Sequence, residues 1–117
     1  MAQAPGKTTT KKASTHEVMM PLLHAMFEEF KELAKKKPEA AVSKSKLVIA
    51  NRLLQRVREV LADEESIEFL DLLNEDDVPQ VSDVTLIFSQ YVAAMHAFKT
   101  RYYGWNGKEH AWSLSSN

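Results

Sequence analysis

The most constraining feature of the sequence is an apolar pattern in its last third. Large apolar side chains recur there at alternating spacings of four and three residues, at Val84, Phe88, Tyr91, Met95, Phe98 and Tyr102. That period places them on one face of an α-helix, which is predicted to begin near Ser82 and to end at about Tyr103. The opposite face carries Ser89, Ala93 and Ala97. These small residues are consistent either with close packing against another backbone or with simple exposure.

Two earlier segments show the same helical period. The first begins after Ser14 and Glu17, which have capping-box spacing, and its stripe is Met19, Leu23, Met26, Phe30 and Leu33. Because Pro21 lies within it, this helix is expected either to begin near Met20 or to be kinked there. The second follows Pro38, and its stripe is Leu47, Ala50, Leu54, Val57 and Leu61, broadened by Ile49, Leu53 and Val60. A band this broad is typical of a helix packed between two neighbours.

The remaining segments complete an all-α prediction. Ile67, Leu70 and Leu73 in "DEESIEFLDLL" indicate a short helix, and "NEDDVPQ" indicates a loop. The expected fold is a small antiparallel bundle of three long helices plus one short helix, with no strand. Residues 1–14 are expected to be a disordered tail, since they contain little apolar surface. Residues 15–104 form the bundle domain in this prediction, and residues 105–117 form a C-terminal tail folded back on the bundle.

The C-terminal stretch "RYYGWNGKEHAW" concentrates aromatic residues. Gly104 is a natural helix stop, and the Asn-Gly pair that follows Trp105 favours a tight turn that returns Trp112 towards the helices. Two interpretations stay open: the tail covers the core of its own chain, or it docks onto a partner. The candidate partner-binding residues are Tyr103, Trp105 and Trp112, because Trp and Tyr provide a large contact area at low entropic cost.

Charge is unevenly distributed along the chain, although the net charge is only −1. Residues 1–58 contain twelve Lys or Arg and five acids, whereas residues 59–83 contain ten acids and no base. The basic half offers candidate nucleic-acid-binding residues that could neutralise backbone phosphates, at Lys35, Lys36, Lys37, Lys44, Lys46, Arg52 and Arg56. The alternative is an ordinary charged helix surface.

The sequence does not predict catalysis. The 117 residues include no cysteine, which excludes thiol chemistry and disulfides. No nucleotide-binding, hydrolase or metalloprotease motif occurs. His24 and Glu28 are one helical turn apart, but a competent metal site needs a third ligand, so this pair is interpreted as ordinary surface pairing. We therefore expect no catalytic residue, no metal and no cofactor.

These observations favour a non-enzymatic protein–protein interaction module, either a self-associating helical bundle or a small subunit or adaptor of a larger complex. The alternative is a nucleic-acid-associated accessory protein that binds phosphate through its basic first half. We expect a protein partner and a homo-oligomer. A cytoplasmic location without membrane contact is also expected, because no apolar leader or membrane-length apolar run occurs.

Overall fold

The computed structural model describes residues 6–115. Its elements follow in chain order: helix α1 (Thr10–Lys36), helix α2 (Lys44–Val60), a 3-10 helix (Glu65–Phe69), helix α3 (Val81–Tyr102), strand β1 (Tyr103–Trp105) and strand β2 (His110–Trp112). The mostly helical fold predicted from the apolar periodicity is confirmed. The expectation of an all-α chain is wrong, because the C-terminal segment forms a small two-stranded sheet.

Helix α1 begins earlier than expected. The Thr9 hydroxyl accepts a hydrogen bond from the amide of Lys12 at 3.1 Å, so Thr9 rather than Ser14 caps the helix. Ala13 is buried. The expectation of a disordered tail through residue 14 is therefore wrong for residues 6–14: residues 10–14 form the first turn and a half of α1, and Thr8 before them is buried. Residues 1–5 of that expected tail lie outside the described residues.

Helix α1 also continues through Pro21, so its expected start near Met20 is wrong. Proline cannot donate the amide hydrogen bond that the Glu17 carbonyl would otherwise accept. Both Glu17 and Pro21 are exposed. Water can therefore satisfy the unpaired carbonyl, which lowers the cost of a proline at this position.

The core lies where α1 packs against α2 on one side and α3 on the other. On α3, Val84, Phe88, Tyr91 and Met95 are fully buried and Phe98 is 1% exposed, as the apolar period predicted. Leu23 of α1 and Leu54 of α2 are also fully buried. Each large side chain buried in this way contributes roughly 1.5–3 kcal/mol, so these three stripes account for most of the stabilisation of the helices.

The segment between α2 and α3 contains a 3-10 helix in place of the expected short α-helix. Of the apolar residues Ile67, Leu70 and Leu73 on which the helix was predicted, only Ile67 lies within the 3-10 helix, whereas Leu70 and Leu73 follow it and are buried. The segment is attached to both neighbouring helices. Asn51 of α2 donates to the Leu73 carbonyl at 2.7 Å, and the Tyr91 hydroxyl of α3 donates to the Asp71 carbonyl at 3.0 Å.

The C-terminal hairpin pairs β1 with β2 in antiparallel register, with Tyr103 opposite Trp112 and Trp105 opposite His110. Its connection contains Gly107 at φ 95°, a conformation that side-chain-bearing residues rarely adopt. The chain before α1 lies beside the hairpin, since the Thr8 amide donates to the Ser113 carbonyl at 2.9 Å. The two ends of the described chain are therefore joined by backbone hydrogen bonds.

Candidate interaction face

A groove of about 220 Å³ lies between α1 and α2. Its apolar lining comes from Met26, Phe30 and Leu33 of α1 and from Ile49 of α2, and its polar lining comes from two exposed side chains, Glu29 and Lys46. Ile49 is 49% exposed, although it belongs to the apolar band of α2. The groove is thus an apolar surface that no other segment of residues 6–115 covers.

The apolar surface extends beyond the groove along both helices. Leu22 is 51% exposed and lies one turn before Met26, and Val18 is exposed one turn earlier still. On α2, the half-buried Leu53 follows Ile49 by one turn. We call this surface the α1–α2 face and define it by Val18, Leu22, Met26, Phe30, Leu33, Ile49 and Leu53. Contiguous exposed apolar surface of this kind marks interaction sites on proteins.

Unpaired charged side chains lie beside the α1–α2 face on both helices. Glu29 lies on α1, whereas Lys46 and Arg52 lie on α2, and all three side chains are exposed. Within residues 6–115, none of the three forms an ion pair. Lys36 of α1 also lies beside Glu29 and Leu33 and is likewise unpaired within residues 6–115, so the face presents an acid and a base on α1 and two bases on α2.

The candidate nucleic-acid-binding residues are all exposed, but several are already paired. The pairs are Lys35 with Glu32 at 2.9 Å, Lys44 with Asp76 at 3.4 Å and Arg56 with Glu59 at 3.0 Å. Lys36 lines a shallow surface cleft with Glu28, Glu29 and Glu32. The lysines lie at the end of α1, in the turn and at the start of α2, whereas the two arginines lie farther along α2. The structure therefore intersperses acids among these cations, which weakens the field they would present to phosphates.

The aromatic tail residues predicted to bind a partner lie together on one side of the hairpin. The Trp112 ring contacts the rings of His16 and Phe98, with centroids 5.2 and 5.9 Å away, and also the ring of Tyr103 at 5.4 Å. Trp105 lies edge-on to His110 at 5.4 Å. All three candidates are half-buried. The geometry thus favours the interpretation in which Trp112 covers the helices of its own chain.

His16 lies beneath this hairpin and is 3% exposed. Its Nε2 is 2.9 Å from the Met95 carbonyl, and because a carbonyl only accepts, Nε2 carries the proton and donates. Its ring is stacked on Phe98 at 5.5 Å. Burial lowers the pKa of His16, although the hydrogen bond to Met95 opposes this effect. The environment therefore favours a neutral imidazole that connects α1 to α3.

The pair of His24 and Glu28 is not formed. Glu28 instead accepts a hydrogen bond from Lys31 at 3.1 Å, and the His24 ring lies 5.2 Å from the ring of His96 on α3. Both histidines line a cleft of about 460 Å³ together with His16, Glu17 and Lys99. In the part of the chain that the structure describes, no three His, Asp or Glu side chains are placed to hold a metal ion.

Comparison of the chain with protein-family models, curated proteins and solved structures gave no match. None of the helices within residues 6–115 has a stretch that is long and apolar enough to cross a membrane. Functional inference therefore depends on the geometry of the molecule.

Sequence reasoning did not identify the α1–α2 face. Ile49 belongs to the broad apolar band of α2, which is typical of a helix packed between two neighbours. That band is covered by α1 and by the segment between α2 and α3, but Ile49 stays exposed. The sequence signal for this face is the apolar band of α2, which is wider than packing against one neighbouring helix requires.

Proposed function

We propose that the protein is a non-enzymatic interaction module that binds another protein chain through the α1–α2 face. The observation that supports this proposal is the contiguous apolar surface of that face, on which Leu22 and Ile49 are each about half exposed. The proposal includes an antiparallel arrangement of the three helices and a role as a small subunit or adaptor. A cysteine-free chain is also suited to a reducing cytoplasm, where we place it.

The energetics of burial favour this face over the outer side of α3. Apolar area removed from water contributes about 25 cal/mol per Å², so a partner gains most where exposed apolar side chains adjoin. On α3, by contrast, the exposed Leu86 has the small residues Ala93 and Ala97 farther along the helix. A partner chain would therefore bury more apolar area on α1 and α2 than on the outer side of α3.

Site-specific photo-crosslinking in cells that express the full chain tests the proposal. A photoreactive amino acid replaces Ala25 on the exposed side of α1, and the matched control replaces Ala93 on α3, since both are exposed helical alanines. We expect a discrete protein adduct from position 25, its loss when Leu22→Asp is added, and no equivalent adduct from position 93. Equal labelling at both positions, or an adduct insensitive to Leu22→Asp, would contradict the proposal.

Phosphate-backbone binding is the second candidate function. It is supported by the exposed lysines at the junction of α1 and α2, of which Lys36 and Lys37 form no ion pair within residues 6–115. Binding of this kind weakens steeply as salt rises, because it depends on counterion release. A salt-sensitive mobility shift with arbitrary duplex DNA or RNA, lost in a variant with Lys36→Glu and Lys37→Glu, is the expected result. No shift at low salt would eliminate this candidate.

A further inference from the structure

We propose that the occupant of the α1–α2 face is a second copy of this chain, related by a two-fold axis that places α1 of each copy against α2 of the other. This inference depends on the proposed function, because it assumes that the face binds protein. It adds the identity of the partner, the orientation of the two copies and the residues that meet.

Helices α1 and α2 run in opposite directions. Near the start of α1, Lys12 pairs with Asp63, which lies just after the end of α2. Near the end of α1, Leu33 lines the same groove as Lys46, which lies near the start of α2. The two helices therefore run in opposite directions along their shared face.

The two-fold axis that relates the two copies can run parallel or perpendicular to the helices. A two-fold axis parallel to the helices and lying between the copies brings α1 over the α2 of the second copy. Since α1 and α2 run in opposite directions, each contact between α1 of one copy and α2 of the other is antiparallel. Together the four helices form an antiparallel four-helix bundle at the interface. A two-fold axis perpendicular to the helices would instead place α1 over α1.

Charge complementarity distinguishes these two arrangements. An axis parallel to the helices preserves height along them, so Glu29 of one copy approaches Lys46 of the other, which lines the same groove, and symmetry forms the contact twice. With the perpendicular axis, α1 would face α1, so Glu29 would not meet the bases of α2. Complementary charges select one register of association and disfavour the other.

The area of the α1–α2 face sets the size of the interface. Two adjacent helices, each about 10 Å wide, give a face of about 500 Å² along the ~25 Å length of α2. The two copies together would bury about 1,000 Å², which is near the lower limit for a specific interface. We therefore expect a weak, reversible dimer, populated in concentrated solution and dissociated on dilution.

Analytical ultracentrifugation of the full chain over a wide concentration range tests the dimer. The wild type should change reversibly from one chain mass to two. Ile49→Glu should shift the midpoint of this transition at least tenfold towards higher concentration, because it buries a charge in the interface. The matched control Leu86→Glu introduces the same charge on the exposed side of α3 and should leave the midpoint unchanged.

Charge reversal tests the orientation and does not depend on the apolar variant. Glu29→Lys and Lys46→Glu should each weaken association severalfold, and the double variant should recover most of the loss, since exposed pairs of this kind contribute modestly but specifically. Recovery is the decisive result, because a merely structural role for either residue would make the two losses add. Circular dichroism of each variant verifies that the helices are retained.

The results separate this inference from the proposed function. A wild type that stays monomeric at every concentration, or a double variant that does not recover, overturns the two-fold dimer. If the photo-crosslinked adduct from position 25 then persists with a mass other than two chains, the face binds a different protein and the proposed function survives. If the adduct is absent as well, both are wrong.

Discussion

The indole nitrogen of Trp112 donates a hydrogen bond to the Glu17 carboxylate at 2.7 Å, which joins the C-terminal hairpin to the first helix across 95 residues of sequence. The Trp112 ring also contacts the rings of His16 on α1 and Phe98 on α3. Both the indole nitrogen and the ring of Trp112 therefore attach the hairpin to the helices. Trp105, two residues into the hairpin, contacts the ring of His110 on the neighbouring strand. The two tryptophans of this chain therefore differ in what they stabilise.

Replacing each tryptophan separately should show this difference. Trp112→Ala should lower the free energy of unfolding by about 2–3 kcal/mol, which is less than for a fully buried ring because Trp112 is half-buried. Trp105→Ala should cost about 1 kcal/mol or less, since it removes a contact within the hairpin. Urea denaturation of dilute protein measures both values. Equal losses would mean that Trp112 does not cover the helices.

Truncation after Gly104 tests the whole hairpin. It removes β2, the contacts of Trp112 and the hydrogen bond between Thr8 and Ser113. We expect a lower thermal midpoint even in dilute monomer, with self-association through the α1–α2 face retained below that midpoint. An unchanged midpoint together with lost association would instead identify the hairpin as the docking site.

Phe98→Ala should be among the most destabilising single changes. Phe98 is 1% exposed and lies against the rings of His16, Tyr102 and Trp112. Truncating a buried phenylalanine leaves a cavity and costs roughly 3–5 kcal/mol, a large share of the stability of a small domain. Ala97→Gly on the exposed side of the same helix is the control and should cost about 1 kcal/mol. Similar melting temperatures for the two variants would show that Phe98 is not part of the core.

Stability should depend on pH through His16. Because burial lowers its folded-state pKa below the ordinary 6.5, the unfolded chain takes up a proton more readily than the folded chain. The contribution of His16 to the free energy of unfolding is therefore fully present above pH 6.5. It decreases as the pH falls below that value and stops decreasing below the lowered folded-state pKa. Urea denaturation as a function of pH should show this decrease in the wild type and lose it in His16→Gln. The exposed His110→Gln serves as control and should keep it.

Asn51 should be essential for holding the segment between α2 and α3. Its side-chain amide donates to the Leu73 carbonyl and, at 3.0 Å, to Glu75, and its oxygen accepts from the Leu73 amide at 2.8 Å. Asn51→Asp removes both donors and places a second carboxylate beside Glu75, so it should cost about 2 kcal/mol or more. Adding Glu75→Gln should recover part of that loss. A neutral effect of Asn51→Asp in chemical denaturation would contradict this role.

The helices of this protein could be predicted from sequence because their determinants are local. The spacing of Val84, Phe88 and Tyr91 places them on one face whatever that face later contacts, and five of the six large residues in that stripe are buried in the structure. Lengths were less accurate, because α1 is capped by the Thr9 hydroxyl, which accepts from the Lys12 amide, and the sequence offers an equally plausible cap at Ser14.

The hairpin and the α1–α2 face depend on tertiary structure. The Asn-Gly turn was evident in the sequence, but strand pairing also involves Thr8 and Ser113, which are brought together only when α1 and α3 are packed. Likewise, Leu23 and Leu22 are adjacent apolar residues on one helix, yet one is fully buried and the other is half exposed. Local periodicity determines which residues share a helical face. Only the packing of the three helices decides which of those faces lose contact with water, since burial depends on neighbours that are distant in sequence.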